Sequence, residues 1–159
     1  MSPCPCGYLG HNNGRCHCTS EQVQRYRACV SGPLLDRIDM HVEVPSVPRE
    51  VLRASRENSG EESALVRSRV VAARERQASR TGCANATMKN NEVEKHCRVT
   101  DNDSKLLEQA IDQLGLSARA YHRFLKVART IADLSNESHI QTQHLTEAIG
   151  YRRLDRALV

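Results

Sequence analysis

Apolar residues recur at helical steps through most of this chain and at alternate positions in one place only. Val23, Tyr26 and Val30 follow Thr19-Ser20-Glu21-Gln22, a T-x-x-Q capping box, so a helix starts there. Ser31-Gly32-Pro33 stops it, and Pro33 suits the first position of a short new turn. Ile38, Met40, Val42 and Val44 then alternate with polar residues, the period of a half-covered strand ended by Pro45 and Pro48. A short helical piece and a polar linker occupy 49–60. Residues 61–80 are rich in helix formers but carry only a thin stripe, Val66, Val70 and Ala73. A loop over 81–90 is expected to separate two units, and 91–97 reads as a short helix.

The last third is helical throughout. Thr100 or Asp101 caps a helix carrying Leu106, Leu107, Ala110, Ile111 and Leu114, and Gly115 supplies the left-handed residue that closes it. Ser117 caps the next, which runs to Leu134 with Tyr121, Phe124, Leu125, Ala128, Ile131 and Ala132 on one face. Ser135-Asn136 breaks it, and Thr142 caps a final helix with Leu145, Ala148 and Ile149. Such helices with short connections predict a small bundle. The expected class is mainly α with a short β element.

The polar positions carry the candidate chemistry. Arg119, His122, Arg123, Lys126 and Arg129 are expected on the outer faces of the helix ending at Leu134. A solvated basic face accounts for them. Arg119 differs because it sits in the first turn, where the helix dipole favours anions and a guanidinium binds phosphate oxygens bidentately. Arg67, Arg69, Arg74, Arg76 and Arg80 form either a solvated face or a nucleic-acid contact without aromatic residues for base stacking. Arg37, flanked by Asp36 and Asp39, is either part of a local ion-pair knot or presented at a domain edge.

Composition narrows the classes. A chain of 159 residues with 39% apolar content, one Phe and no Trp allows one or two small domains with aliphatic cores. The net charge of +4 does not by itself predict nucleic-acid binding. No apolar run long enough to span a membrane occurs, and the N-terminus lacks a signal-peptide core, so no membrane partner and a cytoplasmic address are expected. Seven cysteines are present, of which Cys4, Cys6, Cys16 and Cys18 crowd into the first eighteen positions. Two C-x-C pairs joined by a Gly-rich loop can close a tetrahedron on Zn2+, with His11 and His17 as spare ligands. Two disulfides or unligated thiols are the alternatives.

Three stretches in order, CPCGYLGH…CHC, SGPLLDRIDMHVEVP and GLSARAYHRFLKVARTIADL, resemble the C-terminal part of the magnesium-chelatase-like AAA+ ATPases, the family of the ChlI-like and competence ComM proteins. The resemblance covers nearly the whole chain. It implies the tail of an AAA+ α/β core over 1–60, including a Cys-rich zinc loop over 1–18, a connecting helix over 61–80, and a helical-bundle lid domain over 81–159. It further implies a hexameric ring of identical subunits hydrolysing ATP with Mg2+ and acting on DNA, as in branch migration during competence. On the family pattern Arg37 matches the trans-acting arginine finger, Arg119 the sensor-2 arginine, and Ser2 the sensor-1 position, where relatives commonly carry Asn. No G-x-x-x-x-G-K-[ST] loop and no acidic pair ending an apolar strand occurs in these residues. The chain is therefore expected to be a piece or shortened form of such a protein, without ATP hydrolysis of its own. The alternative is a zinc-stabilised module that binds DNA or a protein without catalysis.

Overall fold

In the computed structural model the described residues are 2–11, 14–42, 44, 47, 60–116 and 119–152. They form seven α-helices and one 3-10 turn: α1 (Ser20–Ala28), α2 (Gly32–Arg37), α3 (Ser63–Thr81), the turn Asn85–Thr87, α4 (Asn90–His96), α5 (Asp101–Leu114), α6 (Arg119–Leu134) and α7 (Thr142–Gly150). The expected Asn12-Asn13 turn, the strand ends at Pro45 and Pro48, the 49–59 linker and the Ser117 cap lie outside the described residues.

The cap chemistry sets the boundaries of the helices. Thr19 and Gln22 form the full capping box of α1. At α5 the Thr100 hydroxyl accepts from the Asp103 amide at 3.2 Å. Gly115, at φ 62°, ends α5 in a Schellman motif, with the Leu116 amide reaching back to the Ile111 carbonyl at 3.0 Å. Asn136, at φ 63°, does the same for α6 through the Glu137 amide and the Ala132 carbonyl at 2.8 Å. Both turns redirect the chain between successive helices, and α5, α6 and α7 pack against one another.

Helix α6 is the centre of the bundle. Its Ala120, Phe124, Leu125, Ala128 and Ala132 are all buried, and α3, α4, α5, α7 and the 3-10 turn pack around it. Leu107, Leu145 and Val93 close the core from the other helices, each completely buried. Full burial of a side chain of that size contributes roughly 1.5–3 kcal/mol. The small alanines on α6 allow its neighbours a close approach, and Phe124 is the one phenylalanine in an otherwise aliphatic buried core.

Three expectations change. Arg129, placed by periodicity on an outer face, is 1% exposed. Its guanidinium donates to the carbonyls of Glu137 at 2.6 Å and Ser138 at 2.9 Å, and pairs with Asp133 at 3.1 Å. Arg80, read as part of an exposed arginine row, donates to both oxygens of the fully buried Asp133. The reason is shared: Asp133 is buried on the same helix, and a buried carboxylate requires cations and donors around it. Third, Ile38–Val44 forms no β-ladder among the described residues. Its alternating apolar side chains Ile38, Met40, Val42 and Val44 are exposed, and the His41 amide donates instead to the Tyr151 carbonyl at 2.7 Å. An extended segment without a neighbouring strand has no ladder to join.

Helix α3 is divided along its length. Its N-terminal half stands exposed, with Arg69 bidentate to Glu61 at 2.9 and 3.0 Å. Its C-terminal half buries Ala73 and Gln77 against the bundle, and Arg76 donates to the Asp133 carbonyl at 2.5 Å. The 81–90 stretch likewise packs in, because Asn85 donates to Asp133 at 2.8 Å and to Thr130 at 3.1 Å.

Burial alone would raise the Asp133 pKa, but hydrogen bonds from Arg80 and Asn85 and the charges of Arg129 and Arg80 outweigh it and hold it below the ordinary value. A depressed folded pKa contributes stability that is complete above the unfolded value near ~4 and is lost as the pH falls through the folded value. Asp133→Ala should therefore lower the unfolding free energy by about 3–5 kcal/mol at neutral pH, because it leaves buried guanidiniums unpaired. Urea denaturation followed by circular dichroism measures this. The same titration should show the wild-type advantage over the variant shrinking below about pH 4.

Candidate metal centre and anion-facing arginines

Among the described residues before Ser20 the N-terminal loop has no helix or strand, and glycines shape it. Gly7 takes φ 79° and donates its amide to the Cys4 carbonyl at 3.0 Å, turning the chain just after the first C-x-C pair. A side chain there would be strained. Gly10 and Gly14 are also left-handed, at φ 83° and 63°, so the loop reverses and returns Cys16 and Cys18 to the first pair. Arg27 Nε donates to the Pro3 carbonyl at 3.3 Å and fastens this end of the loop to α1.

The result is one cluster. The Sγ atoms of Cys4, Cys6, Cys16 and Cys18 all lie within 4.8 Å of one another. Cys4 to Cys6 is 3.3 Å, Cys4 to Cys16 is 3.8 Å and Cys6 to Cys16 is 3.7 Å. Zinc–sulfur bonds of about 2.3 Å in a tetrahedron place the sulfurs about 3.8 Å apart. All four thiols are free, so the disulfide alternative does not describe this structure. The donor set and spacing fit a four-thiolate ion. His11 and His17 are not members of the group; His11 packs edge-on against the Tyr8 ring at 5.8 Å.

Packed this closely, the four thiols shift one another's proton affinity. Burial pushes the Cys4 thiol up, but hydrogen bonds with Cys6, the Leu9 backbone, Cys16 and Cys18 bring it down to about 6. Cys18 gains from a backbone hydrogen bond at Cys6, yet the Cys6 thiol, burial and the Cys4 charge push it up to about 12. Cys16 is raised too: a backbone hydrogen bond at Cys18 lowers it, but burial, Cys6 and Cys4 prevail. One thiolate shared among thiols is stable; several thiolates crowd together only around a metal.

Ser2 is exposed, and its hydroxyl lies 3.8 Å from where a β-carbon on Gly7 would stand, so it faces the cysteine turn. Arg37 is the exposed last residue of α2, and Arg119 the exposed first residue of α6. Neither makes a hydrogen bond or ion pair with another described residue. The structure links their two segments just beyond them: Asp39 pairs ionically with Arg123 Nε at 3.4 Å, one turn along α6 from Arg119. No described hydrogen bond or ion pair joins the cysteine cluster to either arginine.

One participant had no signal in the sequence. Arg152, just past α7, is 2% exposed and donates to the Ile38 carbonyl at 2.8 Å. Periodicity cannot show a contact between segments so far apart in the chain, and Tyr151-Arg152 belongs to no apolar repeat.

Comparison with known proteins follows this two-part arrangement. Residues 60–152 match the family described as magnesium chelatase, subunit ChlI C-terminal, and residues 1–52 match magnesium chelatase, subunit ChlI. The chain belongs to the magnesium chelatase subunit ChlI family. It is 46% identical over 159 residues to competence protein ComM of Haemophilus influenzae, covering 99% of this chain and 30% of that protein. It is 45% identical to the uncharacterized protein YifB of Salmonella typhimurium, covering 100% of this chain and 31% of the other. A third relative, the uncharacterized protein Rv2897c of Mycobacterium tuberculosis, is 30% identical over 156 residues, or 96% of this chain and 30% of its own. The chain thus spans under a third of the length of these relatives, and it corresponds to their C-terminal part. The helical bundle built on α6 is the family's C-terminal lid domain. No helix among the described residues is long and apolar enough to cross a membrane.

Proposed function

We propose that this chain supplies the arginine finger and the sensor-2 lid of a ring-forming AAA+ ATPase that processes DNA by branch migration. The observation that carries the reading is the contrast among its arginines. Arg76, Arg80, Arg129 and Arg152 are committed to internal acceptors, whereas Arg37 and Arg119 hold exposed guanidiniums at two helix ends. An exposed arginine at the end of a short helix can reach a phosphate on a neighbouring subunit. One in the first turn of α6 adds its charge to the positive end of that helix dipole.

In this reading the nucleotide and Mg2+ are held by phosphate-binding elements of the complete protein, and the residues here act on what those elements present. Arg119 pairs with the γ-phosphate of its own subunit and brings the lid down on it. Arg37 meets the γ-phosphate of the next subunit and stabilises negative charge as the phosphoryl group transfers. Ser2, at the sensor-1 position, orients water or phosphate through its hydroxyl, at shorter reach than an asparagine. Cys4, Cys6, Cys16 and Cys18 would hold Zn2+, which supplies a cross-link to a loop that has little hydrophobic core of its own. The competing reading, a module binding DNA through the arginines of α3, is weakened because Arg69, Arg76 and Arg80 already serve Glu61 and Asp133.

Two measurements test this. In the complete, assembled protein Arg37→Ala should cut ATP turnover by about 10³-fold or more while leaving ATP binding in place. Normal turnover would remove the finger assignment. Purified under reducing conditions, the chain should carry about one zinc with its four clustered thiols shielded from thiol reagents, and Cys4→Ser should release both. Because Cys16 and Cys18 must give up protons to bind, zinc affinity should rise with pH. A chain with freely reactive clustered thiols and no bound metal would refute the zinc assignment.

A further inference from the structure

The segment following Arg37 is fastened to the lid at three successive points. Arg152, buried to 2% exposure, donates from Nη1 to the Ile38 carbonyl at 2.8 Å. Asp39 forms an ion pair with Arg123 on α6 at 3.4 Å. The His41 amide donates to the Tyr151 carbonyl at 2.7 Å. Ile38 is also the C-cap of α2, its own amide bonded to Leu35 at 3.0 Å. The carbonyl gripped by Arg152 is therefore the peptide next to Arg37, with a helix turn on one side and the clasp on the other. Asp39 and Met40 line a cleft of about 630 Å³ with Ile131, Leu134 and Tyr151, so the segment lies along the lid surface.

These contacts differ in strength. The Asp39–Arg123 pair is partly exposed and contributes little by itself. Arg152 is different: its buried guanidinium needs acceptors, and a charge-assisted bond to a carbonyl is among the stronger kinds. Taking the Ile38 carbonyl away would leave a buried guanidinium donor unmet, so the arrangement with Ile38 against Arg152 is favoured.

We infer that Arg152 is a positioning residue: by fixing the Ile38 carbonyl it ties the placement of the Arg37 guanidinium to the lid that carries Arg119. Movement of the lid over its own nucleotide then carries the same chain's finger, Arg37, within the neighbouring subunit's site, so that loading one site bears on chemistry at the next. The last step rests on the roles proposed above for Arg37 and Arg119; the clasp does not. A misplacement of about 1 Å in such a group is enough to cost ~10²-fold in rate, which gives the clasp a purpose beyond holding a loop.

The test uses this chain without nucleotide. Hydrogen exchange reports the His41 amide, and spin labels introduced as unnatural amino acids at positions 37 and 119 report the distance between the two segments. In Arg152→Ala the His41 amide should exchange at least about tenfold faster, and the distance distribution should broaden. Arg152→Lys, which keeps one donor, should restore part of both. Unchanged exchange and an unchanged distribution in Arg152→Ala would overturn the inference. If that variant loses helix content, Arg152→Gln decides: it keeps much of the side chain but loses the charge-assisted donor, so with helix content intact the His41 amide should still exchange faster, and unchanged exchange there counts against the clasp. Normal turnover in an assembled Arg37→Ala ring would remove the finger and leave these readouts untouched, so the two failures are separable.

Discussion

One buried carboxylate holds the lid together. Asp133 has no solvent exposure, and it gathers Arg80 from α3, Asn85 from the 3-10 turn and Arg129 from its own helix, while Arg76 takes its backbone carbonyl. A charge in that position is a liability unless every lone pair is met. Meeting them requires α3 and the 85–87 turn to lie against α6 in one register. The network fixes relative placement, and the aliphatic core around Leu107, Leu125 and Leu145 provides the bulk of the burial energy. Arg129 extends the constraint further, since its donors reach Glu137 and Ser138 and so set the approach of α7.

The same logic sorts the cations of the chain by task. Where a guanidinium meets a buried acceptor it builds the lid or clasps the 38–41 segment. Where it has no acceptor among the described residues and stands exposed at a helix end, as at Arg37 and Arg119, the proposed reading gives it an anion. The cysteine cluster stands apart: four sulfurs lie at metal-binding distance in a short loop, and in the proposed reading an ion held there would order it.

Much of this was legible in the residues. The capping box at Thr19, the Thr100 cap, the left-handed Gly115 and the apolar face of α6 are local signals, each set by atoms within a few positions, and each is where the pattern put it. The four cysteines could be grouped because close spacing and left-handed glycines leave few other arrangements. The burial of Arg80, Arg129 and Arg152 was not legible. Periodicity assigns charged residues to the outside by default; a buried acid 53 positions from Arg80 and a carbonyl 114 positions from Arg152 reverse that, and Arg129 is drawn in by the same acid one turn along its own helix. The alternation over Ile38–Val44 misled for a related reason: a period of two reports a segment able to pair, not the presence of a neighbour to pair with.

The central claim is that one chain offers guanidiniums to two different nucleotides. A structure of the complete ring with a slowly hydrolysed ATP analogue tests it directly. The account predicts Arg119 within hydrogen-bonding reach of the γ-phosphate bound by its own subunit, and Arg37 within reach of the γ-phosphate bound by the next. Arg37 pointing to solvent, or both arginines converging on a single nucleotide, would contradict it.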